Sequence, residues 1–236
     1  MKKDALILAL ITLVAGFLLG GVYEITKEPR AKQEEIAKNK AYIAVYENNK
    51  AYKDMDVDKF TFEDVDLNTL IDLDKALKDN NLSGKVTIDS LVKALDKKGN
   101  TVGFVFNVTS KGGYGGDISY SVGFNTTGTV TGISILSIEE TPGLGMKAKE
   151  DTFLNQYVDK NGSFVVNKDN PNETDISIDS ISGATITSRA MTDGVNGAVV
   201  AFSCMNVEEP SPIPEETTAE TNTTSTTEET GGASNE

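Results

Sequence analysis

Hydrophobic and polar residues alternate in three distinct patterns along this chain, and each pattern predicts a different kind of element. From Ala5 to Tyr23 the run ALILALITLVAGFLLGGVY is apolar all round and holds nineteen residues without a charge. At a helical rise of 1.5 Å per residue it reaches about 28 Å, the hydrocarbon thickness of a bilayer, so it predicts an uncleaved membrane-spanning anchor. The run is longer than the roughly 7 to 15 residues of a signal-peptide core, and no A-x-A-like cleavage site follows it. From Lys27 to about Asn48 the sequence is rich in Lys, Glu and Ala, with Ile36, Ile43 and Tyr46 spaced roughly for one face of a helix. This predicts a solvated helix leading away from the apolar run. Residues 49 to 90 are mostly polar, and Phe60, Phe62, Leu67, Leu70 and Leu73 predict irregular chain with a short helix around Asn68 to Asp79.

A period of two takes over near Leu91, where the sheet is expected to begin. Val102, Phe104, Phe106 and Val108 alternate with smaller or polar residues, and so do Ile118, Tyr120, Val122 and Phe124. Val130 to Ile138 predicts a third clear strand. The connections are short, with turn residues at Asp96 to Asn100 and Asn125 to Gly128, so the strands are expected to pair antiparallel. Asp151 to Val158 reads as a short helix. The last pattern has a helical period: Met191, Val195, Ala198, Val199 and Phe202 fall at i, i+4, i+7, i+8 and i+11, which predicts a helix starting near Thr185. The fold class expected is therefore α+β, an antiparallel sheet with packed helices. Its organisation is an anchor over residues 1–26, a connecting region over 27–90, one domain over 91–207 and a tail over 208–236.

Composition narrows the chemistry. The net charge is −14, and the tail from Glu208 holds eight acids and no bases, leaving 28 acids against 22 bases before it. A nucleic-acid role is not expected, since binding a phosphate backbone needs a basic footprint. The tail is built of Pro, Thr, Ser and Glu and buries too little apolar surface to offset the entropy of ordering it. There is no histidine, and Cys204 is the only cysteine. An intrachain disulfide, CxxC pairs, Cys/His zinc sites and Ser-His triads are thus excluded, and no catalytic residue or metal ligand set is expected. A redox protein of this composition must use an organic cofactor.

Three glycine-containing stretches carry the candidate chemistry. The first, Gly112-Gly113-Tyr114-Gly115-Gly116, lies between two predicted strands and lacks the spacing of a dinucleotide fingerprint. The second, Glu140-Thr141-Pro142-Gly143-Leu144-Gly145, places Pro142 and Gly143 at the centre of an expected type II turn. The third, Ser182-Gly183-Ala184-Thr185, opens the last helix. Ser182 is a candidate N-cap there, Gly183 permits close approach of backbone to a ligand, and the free N–H groups of a first turn suit a phosphate.

Together with the preceding Asp179, SGAT resembles the flavinylation motif of the FMN-binding domain shared by the G subunit of the Rnf electron-transport complex and the C subunit of the Na+-translocating NADH:quinone oxidoreductase. GYGG and ETPGLG resemble further signatures of that domain. The three occur in the family's order across about Leu91 to Phe202. Many members carry a basic or histidine residue just before ETPGLG, where this chain has Ile138-Glu139. The short chain without a large insertion fits the Rnf G subunit better than its relative.

The resemblance implies one FMN per chain, joined through its phosphate to Thr185 by a flavin transferase, with Thr187 as the competing acceptor. It implies a ring site formed by Glu140, Thr141, Gly143, Leu144 and Gly145, with Tyr114 nearby and Ser182, Gly183 and Ala184 shaping the phosphate end. The implied activity is electron relay within an ion-translocating ferredoxin:NAD+ oxidoreductase, coupled to Na+ or H+ transport, with the other Rnf subunits and membrane lipid as partners. Lys27, Arg30, Lys32 and Lys38 follow the apolar run and only Lys2 and Lys3 precede it, so charge does not place the N-terminus inside. The family does, with the flavin domain outside the cell membrane. Two other expectations are a stand-alone extracellular flavoprotein fed by membrane quinone, and a cofactor-free anchored binding domain in which SGAT is only a helix cap.

Overall fold

The computed structural model describes residues 2–47, 49–70 and 72–205. The acidic tail lies outside the described residues. The chain begins with one helix, α1 (Lys2–Glu47), which continues through the apolar run and the Lys/Glu-rich segment that follows it. Pro29 lies inside α1 and supplies no N–H to the helical ladder, which weakens the helix at that point. Among the described residues no helix is long and apolar enough to cross a membrane.

A five-stranded antiparallel meander follows, in the order β1 (Thr61–Val65), β2 (Val86–Leu95), β3 (Thr101–Ser110), β4 (Ile118–Asn125) and β5 (Val130–Ser137). The short helix α2 (Leu73–Asp79) lies between β1 and β2. Beyond the sheet come α3 (Asp151–Leu154), a parallel pair β6 (Phe164–Val166) and β7 (Ile176–Ile178), and the closing helix α4 (Thr185–Ser203).

The sheet begins some thirty residues earlier than the alternation predicts. In β2 the register shifts between Ile88 and Ser90, so Val86 and Ile88 face the same side as Leu91 although the spacing changes by one. That bulge hides a period-two reading of the strand's first half. β1 joins the edge through Thr61↔Leu95 to Val65↔Leu91, in a stretch whose sequence predicts irregular chain. The parallel pairing of β6 with β7 has no counterpart in the sequence pattern either, and α3 has four residues rather than the eight that the pattern predicts.

The sheet is covered on both faces, which explains why its central strands are so fully buried. On one face Phe104, Phe106, Val108, Tyr120, Val122 and Phe124 pack against α4, whose Met191, Val195 and Ala198 are completely buried. Met191 and Val195 each contribute about 1.5–3 kcal/mol by leaving water. The Tyr120 hydroxyl donates to the carbonyl of Met191 at 2.7 Å and ties sheet to helix. On the opposite face lie Val92, Ala94 and Val105, covered by Tyr42, Val45 and Tyr46 from the last turns of α1.

Those turns are core, not spacer. The Tyr46 hydroxyl donates to the carbonyls of Phe104 at 3.1 Å and Phe124 at 3.2 Å. Asn107 donates through Nδ2 to the Tyr42 hydroxyl at 2.7 Å, and Asn49 donates to the Thr131 carbonyl at 3.1 Å. The helix can come this close because Gly123 and Gly132 face each other across β4 and β5 beneath it. A Cβ on Gly132 would stand 2.5 Å from the Val45 carbonyl oxygen. Gly132→Ala is expected to lift α1 from the sheet at about 3 kcal/mol, lowering the melting temperature by roughly 10 °C in a circular-dichroism melt.

Candidate functional site

The connections at one end of this architecture bring the three glycine stretches together. GYGG fills the β3–β4 connection, ETPGLG follows β5, and SGAT stands between β7 and α4. Glu140, itself part of the second, bonds to the first and to α4 two residues beyond the third. Its buried carboxylate accepts the Gly115 N–H at 3.1 Å on Oε1 and the Thr187 hydroxyl at 3.0 Å on Oε2. Gly145 passes directly over it, where a Cβ would fall 2.4 Å from Oε2 and 2.8 Å from Thr187 Oγ1. A buried carboxylate is tolerated only where its lone pairs are met, and here one loop and one helix meet them.

The ETPGLG loop adopts the expected turn. Gly143 has φ +76°, as the third position of a type II turn requires, and the Leu144 N–H returns to the Thr141 carbonyl at 3.1 Å. Leu144 then leans over the SGAT segment: a Cβ on Gly183 would lie 3.0 Å from Leu144 Cδ2. Gly183 itself has φ +77°, a conformation that side chains resist. Tyr114 and Leu144 of the first two stretches and Ile186, directly after the third, expose 72%, 43% and 49% of their surfaces, so the end of the domain carrying the three stretches presents apolar groups to solvent.

The start of α4 departs from the sequence reading. Ser182 is not the N-cap; Ala184 is, and it offers no side-chain cap. The capping task is moved into the helix, to a residue that the sequence analysis missed. Ser188, fully buried, accepts the Ile181 N–H on Oγ at 2.9 Å and donates from Oγ to the Ala184 carbonyl at 3.0 Å. It braces the SGAT turn from below. Ser182 stays exposed, and among the described residues the N–H groups of the first turn of α4 have no side-chain cap.

The two threonines end in opposite surroundings. Thr187 is 1% exposed, and its hydroxyl is committed to the Glu140 carboxylate. Thr185 sits at the surface edge, where the Lys168 ammonium donates to its Oγ1 at 3.2 Å. Asp179 is held nearby by reciprocal bonds to Gln156, its N–H to Oε1 at 2.7 Å and its carbonyl from Nε2 at 3.3 Å. Among the described residues no group of carboxylates or cysteine could hold a metal ion.

Residues 113–200 match the FMN-binding domain family, and residues 1–45 match the N-terminal region of the RnfG family. The G subunit of the proton-translocating ferredoxin:NAD(+) oxidoreductase complex of Clostridium ljungdahlii is 33% identical over 193 residues, covering 81% of this chain and 86% of that one. The G subunit of the Na(+)-translocating complex of Acetobacterium woodii is 36% identical over 106 residues, 44% of this chain and 51% of that one. Among solved structures, the C subunit of the Na(+)-translocating NADH-quinone reductase of Parabacteroides distasonis superposes with a TM-score of 0.50 at 18% identity, over 75% of this chain and 96% of that one. That likeness concerns the fold alone: an antiparallel sheet with packed helices.

Proposed function

The chain belongs to the family of G subunits of Rnf-type ion-translocating oxidoreductase complexes, and on that premise we propose that it relays electrons through one FMN joined covalently to Thr185. The observation carrying this reading is that the buried Glu140 carboxylate ties the first stretch and the start of α4 to the second, while Leu144 of the second packs over Gly183 of the third. FMN would supply redox chemistry that the chain's own side chains lack, since it has no histidine and one cysteine.

The residues present fit the group. Gly183 leaves open backbone beside Thr185, the first turn of α4 offers uncapped N–H groups, and a cation already touches the acceptor hydroxyl. Thr185 is favoured over Thr187 by both access and charge. A phosphate at Thr187 would have to enter a buried site and displace a carboxylate of its own sign, whereas at Thr185 it meets Lys168. Ser182, Gly183 and Ala184 would shape the phosphate end. Thr141, Gly143, Leu144 and Gly145, with Tyr114 opposite, would flank the ring, and Glu140 would hold those loops in place rather than touch the flavin.

The same reading gives the chain a place in an assembly. It would pass electrons between neighbouring redox subunits of the complex after loading by a flavin transferase. We propose that Ala5 to Tyr23 anchors it in the cell membrane with the flavin domain on the extracytoplasmic side. The absence of charge in that run supports this, as does the exposure of Leu13, Phe17 and Leu19 on α1, each at 70–80%. The test is expression with a flavin transferase and inspection of the denatured protein on a gel. One fluorescent band whose FMN maps to Thr185 is the expected result. A colourless, dark protein would sink the redox reading, and a yellow but dark one would make the flavin non-covalent.

A further inference from the structure

Resting on the reading of Thr185 as the flavin acceptor, we infer that Lys168 is the residue that holds the flavin phosphate and sets the rate at which it is attached. Lys168 occupies the middle of a three-residue 3-10 turn, Asn167–Asp169, that follows β6. Both neighbours fasten the turn in place. Asn167 donates from Nδ2 to Asp179 Oδ1 at 2.9 Å and accepts the Ser180 N–H at 3.4 Å, which ties it to the strand end before SGAT. Asp169 takes Arg189 of α4 in a forked pair, with Nε at 3.0 and 2.8 Å and a further bond from the guanidinium's Nη2.

With its neighbours held on either side, Lys168 points its ammonium at Thr185 Oγ1. Arg189, the other cation of this end of α4, is neutralised by Asp169, and Asp179 is engaged by Asn167. Among the described residues Lys168 makes no ion pair. It is therefore the one positive charge that the fold directs at the acceptor oxygen without a competing carboxylate. Attachment exchanges the O–H bond of Thr185 for an O–P bond. With flavin adenine dinucleotide as donor, its pyrophosphate bond breaks, adenylate leaves, and the hydroxyl proton passes to solvent. Negative charge then gathers on the non-bridging phosphate oxygens, two bonds beyond the oxygen that Lys168 already touches, and a fixed cation favours the charged state over the neutral alcohol.

The test uses the full-length chain with Lys168→Met, Lys168→Arg and Lys168→Glu, a flavin transferase and the dinucleotide donor. Attachment is followed by gel fluorescence, and the attached phosphate is observed by phosphorus NMR. The methionine variant should be labelled about tenfold more slowly at low salt and the glutamate variant more slowly still, with arginine restoring the rate. The gap between wild type and Lys168→Met should narrow as salt shortens the Debye length. The phosphorus resonance should move in the methionine variant and stay near its wild-type position with arginine. Wild-type labelling with all three variants equally fast, and an unmoved resonance, would overturn this inference alone. A wild type that stays dark would overturn the covalent reading and this inference with it.

Discussion

Replacing Thr185 by alanine is expected to leave the protein folded and to abolish the covalent flavin attachment proposed above. The side chain stands at the surface edge, and its one bond is to an exposed lysine, so removing the hydroxyl changes stability by a few tenths of a kcal/mol at most. Thr187→Ala should do the reverse. It removes a buried hydroxyl and leaves one oxygen of a buried carboxylate without a donor, at about 1–3 kcal/mol, while the acceptor two residues away survives. Mass mapping of the peptide spanning both threonines, paired with thermal melts, separates the two effects. Flavin persisting in Thr185→Ala and lost in Thr187→Ala would reverse the assignment. That result would require the Glu140 contact to open before loading.

The second large effect is expected at Glu140. Alanine there empties a buried volume and strands two donors, the Gly115 N–H and the Thr187 hydroxyl, so a loss of about 3–4 kcal/mol is expected. Because two loops and the start of α4 share this one group, they should loosen together, and flavin loading should fall more than the stability loss alone predicts. Glutamine is the informative partner variant. Its amide oxygen can still accept from Gly115, and its amide nitrogen can donate to a Thr187 hydroxyl that rotates to accept. Glu140→Gln should therefore remain within about 1 kcal/mol of wild type and load normally. Urea titration and the fraction of flavin-labelled chain measure both quantities. An alanine variant as stable and as well loaded as wild type would mean that the carboxylate clamps nothing.

Legibility of the fold follows the regularity of the pattern. In β3 and β4 one face packs on α4 and the other on α1, yet large apolar residues still alternate with small ones, and the period is plain in the sequence. β2 is interrupted by its bulge, which shifts the apolar positions by one, and β1 contributes five mostly exposed residues with little to alternate. The end of α1 reads as a solvated spacer although Tyr42, Val45 and Tyr46 have core spacing. The reason is that their partner is a glycine lane in three later strands, which the helix's own sequence does not show.

The site divides in the same way. Its three stretches are legible as motifs because each needs glycine or proline at fixed offsets. The groups that assemble them are less so. In the sequence Glu140 reads as part of the ring site, and only the fold shows it bridging loops twenty-five and forty-seven residues away. Ser188 looks like any polar residue inside a helix. Lys168 sits in a polar loop seventeen residues before Thr185, and only the clamps on Asn167 and Asp169 give it a direction.

The continuity of α1 with the sheet has a mechanical consequence. From Pro29 to Ala41, where burial begins, the helix runs twelve residues, about 18 Å, with no loop between its free portion and the core. A loop would let the domain wander within a sphere set by chain entropy. A helix cemented by Tyr42, Tyr46 and Asn49 passes on tilt and rotation instead, like a handle fixed to a blade. Twisting the handle turns the sheet, and with it the face that carries Thr185. The direction in which that face presents itself is then tied to the orientation of α1 itself.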